Sequence, residues 1–537
     1  MGFCKAVSSQ PQNTNYVLMS HLLRATTLLA LLLFVQIVYA KNDNTPLPVN
    51  DIQTKQGKVR GTHAKGVYVW RGIKYAEAER FKAPVPVQPW TGVRDAVAFG
   101  PVAPQTESGL TDKGPQSEDC LYLNIFSPAA DGKKRPVMFW IHGGGFVIGS
   151  GSADLYDGSK LARRGDVVVV SINYRLGPLG FLYFKDNKQG YENNLGILDQ
   201  IAALNWVRDN IAAFGGDPEQ ITIFGESAGG TSVETLLSTK KAKGLFKRAI
   251  VESGPPAILW PTHVASMLTE KFFSLLHLHP DSIEAASRVP LDTILAAEDE
   301  LLKFMVENTN YKVFSPTIDG KLLTDDIFKC QKPDVTSPVE LMIGTNKHEA
   351  TMFASKRLKM APRTAEGLEK YFDQVTSTEN RVKVTKAYAK YPRTSGVIDI
   401  LTDAVFRIPA IRLAECRSTY APVYMYRFEW SSFALNVAGM KSFHGLELPF
   451  VFGSYDGNQG KLLKVIATKK LINRLSGQMQ DAWINFARYG NPNGTGEQIW
   501  KPYTTTERAT MIFNNKSRLV IDPDSKQRAA WDGVVYY

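Results

Sequence analysis

Cysteine is scarce in this chain, with four among 537 residues. Cys4 lies in or before an N-terminal targeting segment, which leaves Cys120, Cys330 and Cys416. Three thiols close at most one disulfide, so a chain of this size is expected to rest on its core rather than on cross-links. Long apolar runs are scarce too. The one candidate, residues 28–38, is interrupted by Gln36 and falls well short of the ~20 residues a spanning helix needs. No basic run is interleaved with aromatics, so nucleic-acid binding is not indicated, although the formal charge is +11. Neither H-E-x-x-H nor a cysteine cluster is present to hold a metal, and nothing in the sequence requires a cofactor. The 42 glycines and 29 prolines are scattered, and no internal repeat stands out.

What is present begins with a segment shaped like a signal peptide. His21-Leu22-Leu23-Arg24 supplies a basic flank, the short apolar run follows, and Val38-Tyr39-Ala40 makes a small-residue cleavage site before Lys41. Met19 is a sensible true start, because it leaves a signal of normal size. An uncleaved anchor is the alternative. The expectation is a secreted or periplasmic protein with residues 1–40 as targeting segment and 41–537 as a single domain, with no stable membrane span after cleavage. Removing Lys5 and Arg24 with that segment leaves a dilute +9 on the mature chain. Oligomeric state is not written in the sequence.

Near-continuous apolar runs at 137–141, 167–172, 221–224, 249–251, 339–343 and 423–428 read as strands buried on both faces. Residues 195–214 carry apolar positions at helical spacing. This alternation predicts a largely parallel sheet covered by helices. Residues 52–60 and 67–75 read as the two arms of one hairpin, and 255–310 as a helical insertion or cap.

The densest chemistry is Gly225-Glu226-Ser227-Ala228-Gly229, directly after the run at 221–224. G-x-S-x-G between a strand and a helix makes a sharp turn that leaves the serine hydroxyl exposed at the sheet's carboxyl end. Where such a turn carries a nucleophile, its partners follow in the order serine, acid, histidine. Of the eight histidines, His21, His63 and His142 precede the serine, and His263, His277 and His279 fall in the helical insertion. His348 and His444 remain. His444 sits in Phe443-His444-Gly445-Leu446-Glu447-Leu448-Pro449-Phe450, a punctuated loop after a predicted strand, where open sheets carry catalytic groups. Glu349 follows another strand through Gly344-Thr345-Asn346-Lys347-His348 and is placed to orient an imidazole; Asp403 is the reserve acid. Finally, the glycines of Trp140-Ile141-His142-Gly143-Gly144-Gly145-Phe146 let backbone N–H groups approach a developing oxyanion.

These motifs resemble the type-B carboxylesterases, a family that includes cholinesterases and bacterial para-nitrobenzyl esterases. The likeness is carried by Glu118-Asp119-Cys120-Leu121-Tyr122-Leu123-Asn124, by Phe214-Gly215-Gly216-Asp217-Pro218 through Gly229, by Asn173-Tyr174-Arg175 and by the loop from His444 to Phe452. The resemblance implies an α/β-hydrolase fold with helical insertions forming a cap or gorge. It implies Ser227 as nucleophile, Glu349 as acid and His444 as base, with an oxyanion hole from the N–H groups of Gly144, Gly145 and Ala228. Glu226 and Ser253 match positions behind these residues. The implied substrate is a small-molecule carboxylic ester, with a lipase or thioesterase as runner-up and a non-catalytic adhesion protein disfavoured because no implied catalytic residue is missing.

Two departures stand out. The family's usual Asp-Glu-Gly is His348-Glu349-Ala350 here. Val102-Ala103-Pro104 stands where the family places the disulfide partner of the cysteine matching Cys120, so that thiol is expected to be free. The cholinesterase-like branch carries a tryptophan in the loop before this cysteine. Residues 100–119 contain no aromatic, which points to neutral esters rather than choline esters.

Overall fold

The structure, a computed structural model, describes Leu47–Pro48 and residues 51–64, 66–106, 114–185, 190–255, 259–309, 313–324, 338–355, 358–455, 469–497 and 499–534. The expected targeting segment at 1–40, with its cleavage site and Met19, lies outside the described residues. The architecture is that of Pro48–Tyr537.

Its spine is a mixed sheet. In chain order the strands are β1 (Thr62–Ala64), β2 (Val67–Lys74), β3 (Tyr122–Ser127), β4 (Arg135–Ile141), β5 (Val168–Ile172), β6 (Gly216–Glu226), β7 (Arg248–Glu252), β8 (Glu340–Asn346), β9 (Val423–Phe428), β10 (Ala509–Phe513) and β11 (Arg518–Ile521). Across the sheet they run β1-β2-β3-β5-β4-β6-β7-β8-β9-β10-β11. Pairing is parallel from β5 to β10 and antiparallel outside that block. All six apolar runs anticipated from sequence fall in this parallel block.

The pleat divides their side chains between two cores. Val137, Phe139, Ile141, Ile221, Ile223, Val251 and Ile343 face one side, where α1 (Leu195–Asn210) and α2 (Ala228–Leu237) pack. Met138, Trp140, Phe224, Ile250 and Met342 face the other, against α7 (Lys469–Tyr489), which contributes Leu475, Met479, Trp483 and Phe486. Between these helices the chain forms α3 (Thr262–Leu275), α4 (Leu291–Asn308), α5 (Thr394–Thr402) and α6 (Ile408–Arg417), the last two joined by a π-helical turn at Asp403–Arg407. The insertion at 255–310 is therefore mainly helical, with one two-residue strand, Trp260–Pro261, paired to Thr317–Ile318. Among the described residues no helix is long and apolar enough to cross a membrane.

The expected hairpin between residues 52–60 and 67–75 does not form. Ile52–Gln53 pairs with Lys58–Arg60 in a small separate sheet, whereas β2 pairs with β1 and β3. The chain changes sheet at Gly61, where a Cβ would stand 2.6 Å from the Trp70 ring and 2.7 Å from the Val69 carbonyl oxygen. Only glycine permits that close approach.

Cys120 is a free, fully buried thiol just before β3, and burial pushes its pKa far above the ordinary thiol value. Cys416 is disulfide-bonded.

Candidate active site

The sheet order reverses at β4 and β6. After β4 the chain crosses to β5 on one side, and after β6 it crosses to β7 on the other. Adjacent loops diverging from carboxyl ends leave a crevice, the usual place for a site in an open α/β sheet. His142 to Phe146 follows β4 and Ser227 follows β6, so two of the sequence motifs meet there.

Ser227 is held with φ 57° and ψ −123°, a conformation an L-residue avoids without enforcement. The enforcement is local: its N–H donates to the Glu252 carbonyl at 2.9 Å, and α2 begins at the next residue. The flanking glycines are required by contact. A Cβ on Gly225 would lie 2.5 Å from the Gly229 carbonyl oxygen, and one on Gly229 would lie 2.1 Å from that of Ile141. Beside the serine, Gly144 and Gly145 have φ of 115° and 65°. The N–H groups of Gly144, Gly145 and Ala228 donate to no group among the described residues.

Glu349 and His444 come from loops after β8 and β9. Glu349 is fully buried, and its Oε2 accepts from His444 Nδ1 at 2.7 Å. Its Oε1 accepts from the Ser253 hydroxyl and the Asn346 N–H, both at 2.6 Å. These contacts fix the carboxyl plane and put the imidazole proton on Nδ1, leaving Nε2 as the acceptor. His444 Nε2 lies 3.2 Å from Glu226 Oε1 without the alignment of a hydrogen bond, and none joins it to Ser227. The rings of Phe353 and Phe406 each lie 5.0 Å from the imidazole.

Of the residues singled out from sequence, Ser227, Glu226, Ser253, Glu349 and His444 are thus gathered at one end of the sheet. Asp403, the reserve acid, is not among them. It accepts a fork from Arg407 at 2.7 and 2.9 Å and a further bond from the Tyr388 hydroxyl. His348 turns away to Ser442, its Nδ1 lying 2.9 Å from the hydroxyl oxygen.

Sequence reasoning missed a group of buried acids behind His444. Glu252 accepts from Trp483 Nε1 at 2.8 Å, and Glu447 accepts from the Asn346 side-chain amide. Burial pushes the Glu252 carboxyl up to about 8, against the pull of the Trp483 bond. Glu226 and Glu447 are raised well above the ordinary range by burial first and then by neighbouring carboxylates. These shifts favour the protonated acid, which limits the negative charge gathered at the site. The Tyr426 hydroxyl is buried among them with no hydrogen-bond partner among the described residues. A signal existed: Glu447 interrupts the apolar stretch 446–452, and Glu252 ends an apolar strand.

The divided sheet, the strained serine turn and the glutamate–histidine pair define an α/β-hydrolase. The profile of the carboxylesterase family matches residues 48–531. The para-nitrobenzyl esterase of Bacillus subtilis is 41% identical over 486 residues, which is 89% of this chain and 97% of that one. The human (Homo sapiens) cocaine esterase is 33% identical over 526 residues, covering 89% of each. Among solved structures, a PNB esterase superposes with a TM-score of 0.79 at 38% identity, covering 90% of this chain and 99% of that one. A carboxylesterase of Geobacillus stearothermophilus superposes with a TM-score of 0.80 at 38% identity, covering 90% and 100%. The chain belongs to the carboxylesterase family, and it is a serine hydrolase of carboxylic esters.

Proposed function

We propose that the enzyme cleaves neutral esters through an acyl-enzyme formed on Ser227. The observation that carries this reading is the 2.7 Å contact of Glu349 with His444 at the crevice where Ser227 projects. His444 Nε2 turns from Glu226 to the serine hydroxyl and takes its proton, a contact that commonly tightens only once substrate is bound. The serine oxygen attacks the ester carbonyl, and the oxyanion is received by the N–H groups of Gly144, Gly145 and Ala228. The alcohol leaves with the proton from His444. Water activated by the same imidazole then releases the acid. Glu349 keeps the imidazole oriented throughout.

Ser227→Ala tests the reading. Turnover should fall by about 10⁴-fold or more while the melting temperature stays near wild type. A folded variant retaining near-normal hydrolysis would end the serine mechanism.

The preference for neutral esters rests on the absence of an aromatic between residues 100 and 119 and on the basic charge of the chain, which does not steer cations inward. Comparing kcat/KM for a butyryl choline ester and a neutral butyryl ester of matched leaving group decides it. The neutral ester is expected to win.

Export is part of the same proposal, supported by the basic flank, the apolar run at 28–38 and the Ala40 boundary. A mature N-terminus at Lys41 on protein recovered outside the cytoplasm is the expected result; an intact leader on that protein overturns it.

A further inference from the structure

A cavity of about 250 Å³ shares no lining residue with Ser227, Glu349 or His444, yet Lys347 and His348, the two residues before Glu349, form part of its wall. Lys347, Lys390, Arg407 and Arg427 line it together with Asp399, Asp403 and Asp524, and the four cations are not equally committed. Arg407, facing it with Asp403, is held in the fork already described and gives its remaining nitrogen to the Pro523 carbonyl. Arg427 holds both Glu429 and Asp524. The lysines are looser. Lys347 reaches Glu429 at 3.2 Å and Lys390 reaches Asp399 only at 3.5 Å, with lysine side chains 40% and 59% exposed. Burial also raises the Asp399 carboxyl, which weakens it as a counter-charge.

His348 adds a different kind of group. Burial, followed by the charges of Lys441, Lys347, Lys390 and Arg427, pushes its imidazole down to about 3. The ring is neutral in ordinary buffers and shares the cavity wall with Lys347, Lys390 and Arg427 as well as with the carboxylates of Asp399, Asp403 and Asp524. Nδ1 is engaged with Ser442, while Nε2 has no hydrogen-bond partner among the described residues.

We propose that this cavity binds a small dianion, a phosphate or a dicarboxylate, with Lys347 and Lys390 as counter-charges and His348 Nε2–H as a neutral donor. The lysines exchange their long contacts with Glu429 and Asp399 for shorter, charge-assisted bonds to the ligand. The site is coupled to the catalytic loops by chain connectivity. His348 precedes Glu349, and its N–H donates to the carbonyl of Ser442, two residues before His444, at 3.1 Å. An occupant therefore steadies the acid-bearing loop, which this backbone bond already joins to the base-bearing loop.

The test is calorimetric titration of the full chain with inorganic phosphate and, separately, with malonate, at ionic strength held constant by sodium chloride. One saturable site per chain is expected for at least one of the two, and which one binds identifies the chemistry. Lys347→Gln/Lys390→Gln should weaken that binding by about tenfold or more, with a melting temperature near wild type without ligand. The ligand-dependent rise in melting temperature should vanish in parallel. Absence of saturable binding to both dianions, or equal binding by the double variant, overturns the proposal.

Discussion

Glu349 and Asp403 are both buried acids in the C-terminal half, and their partners separate their duties. Glu349 spends its oxygens on His444, Ser253 and Asn346, whereas Asp403 is consumed by Arg407 and Tyr388. Glu349→Gln should lower kcat by about 10⁴-fold with little change in melting temperature, since an amide cannot enforce the productive tautomer. Asp403→Asn should do the reverse, because breaking a buried ion pair costs about 3–5 kcal/mol. Steady-state rates and thermal melts on both variants check this; a severe kinetic loss only at Asp403 reverses the assignment. Glu252 makes a prediction about pH. Its carboxyl is raised to about 8, so between the ordinary carboxylate range and pH 8 the folded state keeps a proton that the unfolded chain releases. Stability is lost as pH rises through that window. Glu252→Gln keeps an acceptor for Trp483 and carries no titrating proton. Its melting temperature relative to wild type should climb from pH 5 to pH 8.5; a pH-independent difference would falsify the buried-acid account. Ser227 and His444 could be singled out from motif and chain order, whereas only the family resemblance favours Glu349 over Asp403. Glu252 and Tyr426 were not legible, because only the sheet brings their strands behind the His444 loop, and Glu447, three residues from His444, showed only as a break in an apolar stretch.

At the scale of the element, the turn after β4 shows what the consecutive glycines do. Gly144 sits at φ 115°, and a Cβ there would stand 2.0 Å from the Ile148 carbonyl oxygen. Gly144→Ala should swing this turn and misplace its N–H groups. Loss of an oxyanion donor costs about 10²–10³ in kcat. The same variant should bind a trifluoromethyl ketone transition-state mimic more weakly by a similar factor. Unchanged inhibition would separate this turn from the oxyanion. The strands divide by the same logic of burial. Six of the seven strands of the parallel block carry apolar runs and were legible as such. The seventh, β10, is buried along its length yet was not anticipated, and neither was β11, which is short and carries Arg518 and an exposed Ile521, as edge strands often do. Residues 52–75 misled for another reason: a β-rich run identifies a strand but does not say which sheet it joins.

The molecule as a whole places a reactive crevice on top of two separate cores, and the lower layers are tightly closed. α1 and α2 cover one face of the sheet and α7 the other, while Cys120 lies under this cover with no access to solvent. That inaccessible thiol is a clock for global opening. A thiol-specific probe reacts with the thiolate, and neither exposure nor ionisation is available to Cys120 in the native state. Its modification should therefore be slow in native buffer and complete in denaturant. When reclosing outruns the reagent, the labelling rate measures the free energy of opening; when it does not, the rate reports unfolding itself. Peptide mapping of the labelled site, followed over hours at graded probe concentration, would distinguish the two regimes. Rapid labelling of Cys120 without denaturant would mean that the core beside β3 opens in the native state. A slow rate would give the lifetime of the folded enzyme from one native sulfur atom, without an introduced fluorophore.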